Sequence, residues 1–180
     1  MEQQEFTITA FSENSIGLLN RITIIFTRRH LNIDSLTVSE SAIKGIYKFT
    51  IVVQTTKHMI EKVVKQIEKL VDVLKAFYLS SNEIIYQEIA LYKVPTEALT
   101  SSNEIEQIVR THNARILEVT QDHTVIEKTG HKDETQALFD SLDRYGVLQF
   151  TRSGRIAITK MKKELLTAYL KVLDTDTVVY

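Results

Sequence analysis

Between Glu13 and Arg21 the chain reads Glu-Asn-Ser-Ile-Gly-Leu-Leu-Asn-Arg, a polar turn that runs straight into apolar residues at helical spacing. Backbone N–H groups at a helix start lack intrahelical acceptors and lie at the positive end of the helix dipole, an arrangement that suits a carboxylate. Gly17 lets the backbone approach such a ligand without a Cβ in the way, and the Asn14 amide oxygen can accept from an ammonium group. Together they suit a zwitterion. The same residues also make an ordinary N-terminal cap with a turn glycine, and on spacing alone both readings stand.

Other chemistry finds little support. His30, His58, His112, His123 and His131 include no pair at the i,i+3 or i,i+4 spacing that one helix face would use to hold a metal, so none is expected to ligate one. The absence of cysteine excludes disulfides, thiolate metal sites and a nucleophilic thiol. Asp133 and Glu134 stand at an expected helix start, where they complement the dipole rather than serve as acid and base. No Walker-type loop, Gly-x-Gly-x-x-Gly or Gly-x-Ser-x-Gly occurs, so no catalytic residue is assigned to this chain. Arg28, Arg29 and His30 fit either an interaction patch or the negative end of a helix.

The elements that must position the Glu13–Arg21 turn follow from periodicity. Phe6, Ile8 and Ala10 alternate with Thr7, Thr9 and Phe11 as a strand, and Leu18, Leu19, Ile22, Ile25 and Phe26 follow at helical spacing. A hairpin comes next, with strands at residues 32–39 and 46–53 and a turn at Gly45. Ile60, Val63, Val64, Ile67 and Leu70 mark a second helix, with Glu61 and Lys65 as an i,i+4 pair outside, and residues 71–79 close the unit as a strand. The order βαββαβ recurs: strand 87–94, helix 103–112, strands 115–120 and 124–128, helix 133–145 and strand 147–152. A last amphipathic segment at 165–170 is expected to pack outside, and the polar Ser80-Ser81-Asn82 run divides the halves.

The expected fold class is therefore α+β, two ferredoxin-like βαββαβ domains covering residues 1–80 and 83–180. Both helices of such a unit lie on one face of a four-stranded antiparallel sheet, leaving an edge strand available for pairing, most simply with a second copy. With 22 basic and 23 acidic residues the net charge is −1, which supplies no general cationic field for nucleic acid. The order also serves RNA-recognition domains, but their stacking positions here carry Ile46 and Lys48, with Tyr47 and Phe49 on the opposite face. The start, Met-Glu-Gln-Gln-Glu, lacks the basic-then-apolar character of a secretory leader, and no apolar run approaches the roughly 20 residues that span a bilayer. A soluble cytoplasmic protein that binds neither membrane nor nucleic acid is expected.

Glu13-Asn14-x-x-Gly17-x-Leu19-x-Arg21, followed by Phe26-x-x-Arg29-x-x-Asn32-Ile33-Asp34-Ser35-Leu36-Thr37-Val38, resembles the N-terminal ACT domain of acetolactate synthase small regulatory subunits. The resemblance runs from Phe6 to about Tyr78 and includes the helix end Ile67-Glu68-Lys69-Leu70-Val71-Asp72-Val73. Beyond Gln87, Ile89-Ala90-Leu91-Tyr92-Lys93-Val94 and Arg152-Ser153-Gly154 are similar to the family's second domain.

The resemblance implies a non-catalytic regulatory subunit that activates a large catalytic subunit and mediates feedback inhibition by a branched-chain amino acid, typically valine. It implies a homodimer through paired ACT domains, with the effector at their interface. Asn14, Gly17 and Leu18 would hold the carboxylate, Ser15 and Ile16 line the same loop, and Asn32 with Ile33 come from the partner copy. The thiamine diphosphate, FAD and magnesium of the family would belong to the catalytic partner, and this chain would hold no cofactor. The alternative is a free-standing ACT-type amino-acid sensor. Ser15 and Ile16 do not discriminate among valine, leucine and isoleucine.

Overall fold

The computed structural model describes residues 3–101, 103–162 and 166. Two compact units emerge, Met1–Ile85 with Arg155–Tyr180, and Tyr86–Gly154.

The first unit runs β1 (Gln4–Glu13), α1 (Leu18–Thr27), β2 (Ser35–Glu40), β3 (Ile46–Thr55), α2 (Lys57–Ile67) and β4 (Val73–Ser80). Its sheet has the order β2-β3-β1-β4, with all three pairings antiparallel. Alternation along β1 and β3 sends Phe6, Ile8, Ala10, Phe49, Ile51 and Val53 to one face, where they meet Leu18, Ile22, Ile25 and Phe26 of α1 and Ile60, Val63, Val64 and Ile67 of α2. Each helix thus buries a stripe at i, i+3/i+4, i+7 spacing. Thr56 caps α2 by accepting from the Met59 N–H at 3.4 Å. Arg29 donates to the Ile25 carbonyl at 3.0 Å, so that cation serves the C-terminus of α1.

The second unit repeats the pattern with one addition: β5 (Ile84–Pro95), α3 (Thr96–Ser101), α4 (Glu104–Thr111), β6 (Arg115–Val119), β7 (His123–Gly130), α5 (Lys132–Asp143) and β8 (Gln149–Arg152). The strand order β6-β7-β5-β8 is that of the first sheet. Ala90, Tyr92 and Val94 pack with Ile105, Val109, Ile126, Leu138 and Leu142. Asp133 and Glu134 occupy the first turn of α5, and Glu134 accepts from the His131 N–H at 2.7 Å, the capping role expected of an acid there.

Several boundaries differ from the sequence reading. Residues 32–34 are not strand, β4 starts two residues later than expected at Val73, and the short helix α3 was not anticipated. The Ser80–Asn82 boundary is a single 3-10 turn, Ser81–Glu83, in which Glu83 accepts from the Ser80 N–H at 2.8 Å. Those bonds hold the Glu83 carboxyl below its usual range. The expected 165–170 segment lies outside the described residues apart from Leu166, which is buried.

The largest difference concerns residues assigned to one domain from 83 to 180. After Gly154 the chain returns to the first unit, where β9 (Ile156–Thr159) pairs with β5, the strand that begins in this unit. The return is fixed by charge. Arg155, only 3% exposed, donates from its guanidinium to Glu5 at 2.7 Å and Thr7 at 3.0 Å, and its backbone N–H donates to the Ser35 hydroxyl at 2.9 Å. Lys48 donates to the Ala157 carbonyl at 2.6 Å. Thr7 and Lys48 lie on the sheet face away from the helices, so the chain's own return segment uses part of that face.

Removing Arg155 strips charge-assisted bonds from a buried position. Arg155→Ala should lower unfolding stability by about 2 kcal/mol, read by urea denaturation. In the second unit, burial pushes the Tyr92 hydroxyl up to about 12, and it donates to the Thr135 carbonyl at 2.6 Å. A phenol whose pKa rises on folding contributes its stability in full below its ordinary value of 10.0 and loses it as pH climbs towards 12. Ultraviolet titration of Tyr92→Phe should lack the latest-ionising phenol.

Candidate functional site

Strand β1 ends at Glu13 and α1 begins at Leu18, so residues 14–17 must reverse the chain in four positions. Gly17 makes the turn at φ +80°, a left-handed conformation that costs an L side chain roughly 1–2 kcal/mol. A Cβ there would meet nothing within 4 Å, so glycine is demanded by the backbone and not by crowding. The Ser15 N–H donates to the Glu13 carbonyl at 3.0 Å and the Leu18 N–H to the Ser15 carbonyl at 3.2 Å. No side chain caps α1, and its first turn carries no acid. The Leu19 and Asn20 N–H groups therefore point out of the helix start without intrahelical acceptors.

The loop and the first residues of α1 border a pocket of about 200 Å³ lined by Glu13, Asn14, Ser15, Gly17, Leu18, Leu19, Val38, Tyr47 and Phe49. It has two halves. The loop and helix start form a polar end with the positive pole of the α1 dipole, while Leu18, Leu19, Val38, Tyr47 and Phe49 form an apolar wall. Such a pocket can hold a small anion at one end and an aliphatic group at the other.

Of the expected site residues, Asn14, Ser15, Gly17 and Leu18 come together here. Ile16 does not: it stands fully exposed at the loop tip. Asn32 is exposed and Ile33 packs against the first unit's own core, so within one chain neither lines the pocket. The residues missed from sequence are Val38, Tyr47 and Phe49. Val38 pairs with Phe49 across β2 and β3, and strand alternation puts Tyr47 and Phe49 on the helix face, a signal already present in the apolar pattern.

One charged pair brackets the loop. Arg21, one turn into α1, forms an ion pair with Asp72 and reaches the Ser15 hydroxyl at 3.4 Å, while the Asp72 carbonyl accepts from the Glu13 N–H at 3.1 Å. Among the described residues no group of three or more His, Cys, Asp or Glu side chains could hold a metal ion, and no helix is long and apolar enough to cross a membrane.

Substitution at Gly17 should report the backbone demand directly. Gly17→Asn, whose side chain tolerates the left-handed region, should melt above Gly17→Ala, which loses about 1–2 kcal/mol by calorimetric unfolding.

Comparisons with known proteins agree with this architecture. The family model described as "AHAS small subunit-like ACT domain" matches residues 8–75, and that described as "Small subunit of acetolactate synthase" matches residues 87–161. The chain is 35% identical over 154 residues to the acetolactate synthase small subunit of Bacillus subtilis, covering 85% of this chain and 89% of that protein. It is 31% identical over 160 residues to the probable acetolactate synthase small subunit of Methanothermobacter thermautotrophicus, covering 89% and 95%. The crystal structure of the acetolactate synthase small subunit from Thermotoga maritima superposes with a TM-score of 0.80 at 28% identity, covering 89% of this chain and 99% of that one. Both halves, the ACT-type unit with its open helix start and the unit that follows, match along the chain, which therefore belongs to the family of acetolactate synthase small subunits.

Proposed function

We propose that this chain is the regulatory subunit of an acetolactate synthase, raising the activity of a large catalytic subunit and carrying feedback inhibition by a branched-chain amino acid, with valine the first choice. The observation that carries the reading is the two-ended pocket at Gly17. Its amides suit the α-carboxylate, the Asn14 side chain suits the ammonium, and Val38, Tyr47 and Phe49 suit an aliphatic side chain.

The pocket reaches β2, an edge strand of the first sheet, and Val38 on that strand is 41% exposed. An edge left unpaired among the described residues, beside exposed Leu19 and Ile16, favours a second copy of the chain as the cover. Asn32 and Ile33, which do not line the pocket in their own chain, then complete the site from the neighbouring copy. Thiamine diphosphate, FAD and magnesium belong to the catalytic subunit in this reading, and the assembly is cytoplasmic.

Titration calorimetry of the full chain with L-valine should give saturable binding. Gly17→Asp should abolish it by setting a carboxylate against the ligand's own, whereas Gly17→Asn, equal in shape and free of charge, should retain most of it. Equal loss in both variants would assign the effect to backbone strain and remove the charge argument. Mixing the chain with the catalytic subunit should raise acetolactate formation and make it valine-sensitive. Failure to associate with that subunit would leave a free-standing sensor as the surviving reading.

A further inference from the structure

Loop 14–17 has a mechanical problem that the pocket alone does not solve. Between Ser12 and Leu18 no side chain is buried, so core packing ends on either side of the segment that must present its amides at a fixed place. A loop held only by its ends would have to be ordered by the ligand, at a cost in affinity.

Asp72 spans the gap. It sits in the turn between α2 and β4, closed by the Val73 N–H donating to the Leu70 carbonyl at 3.0 Å, with Leu70 and Val73 both packed on the first unit's core. From that anchored position its carbonyl holds the N–H of Glu13, where the strand ends, and its carboxylate holds the guanidinium of Arg21, on the helix that leaves the loop. The Arg21 N–H in turn donates to the Gly17 carbonyl at 3.1 Å, and the guanidinium touches the Ser15 hydroxyl at 3.4 Å. Strand end, loop and helix start are thereby closed into one ring.

We infer that the Arg21–Asp72 pair is a clasp that pre-sets the β1–α1 loop for effector binding, so that both are positioning residues which need not touch the ligand. The inference rests on the effector reading above. Asp72 lines no part of the pocket, and the Arg21 guanidinium is already engaged by Asp72 and Ser15. With side chains 41% and 21% exposed, the pair adds little to global stability, so its loss reads in the loop and in affinity and not in melting temperature.

Full-length wild type, Asp72→Ala, Arg21→Ala, the double variant and the charge-swapped Arg21→Asp/Asp72→Arg chain are compared in two measurements. In ligand-free protein, amide hydrogen exchange at Ser15 and Leu18 should accelerate in each single variant and recover in the swap. L-valine affinity should fall about tenfold in each single variant, no further in the double, and recover in the swap. Unchanged exchange in Asp72→Ala overturns the clasp, and so do additive affinity losses in the double variant. Tighter valine binding in Asp72→Ala overturns it as well, because a freed guanidinium would then be a direct ligand. If wild type binds no valine, the effector reading fails on its own, and the exchange rates decide the clasp by themselves.

Discussion

Leu18 must be buried, and the backbone must turn left-handed at Gly17 to bury it. Leu18 is 2% exposed, the first core side chain after the loop, and with Ile22, Ile25 and Phe26 it fixes where α1 starts and which way the helix faces. Because the turn is made by a glycine, no side chain is available at the N-cap to occupy the first-turn amides. The same step that completes the core therefore leaves a set of oriented donors unused, next to an apolar wall supplied by β2 and β3. Core packing and the uncapped helix start share one local cause.

A regulatory role then depends on differential affinity. A ligand moves an equilibrium only by the difference in its binding free energy between the two states, and a coupling of roughly 1–3 kcal/mol is enough for feedback. A loop pose set in advance favours such coupling, since little of the ligand's binding energy is consumed in ordering its own site. The pocket also reaches an edge strand, so a ligand there can be sensitive to whether and how that edge is paired.

Much of this was legible in the sequence, for reasons that differ by element. The βαββαβ order of each unit follows from hydrophobic period, because Phe6, Ile8 and Ala10 on a strand and Ile60, Val63, Val64 and Ile67 on a helix can bury one face only in that conformation. The loop 14–17 was legible because glycine beside polar residues before an apolar stripe is a local signal. Charge pairs between distant residues carry no periodic trace: Arg155 finds Glu5, and Arg21 finds Asp72, only once the sheets exist. For that reason the return of the chain to the first unit and the bracing of the loop were both missed. Helix α3 was missed because Thr96–Ser101 is too short to show a stripe.

The second unit shows that the fold alone does not make the site. It has the same strand order, yet β5 passes at Pro95 directly into Thr96 of α3, with no glycine turn between strand and helix. Thr96 is tied down there, its N–H donating to the Asp122 carbonyl at 3.3 Å and its hydroxyl to the Thr120 carbonyl at 2.9 Å. Glu97 occupies the first turn of α3, and Glu104 and Glu106 that of α4, so the first turn of each helix carries acid near its positive end. Glu104 is further engaged by the Tyr145 hydroxyl, a bond that raises the pKa of that phenol. An incoming carboxylate would meet first-turn acids there, whereas the first turn of α1 carries none. Two units of one topology thus part company over a few residues at the strand-to-helix junction, and only the first has a glycine turn that leaves its helix start uncapped.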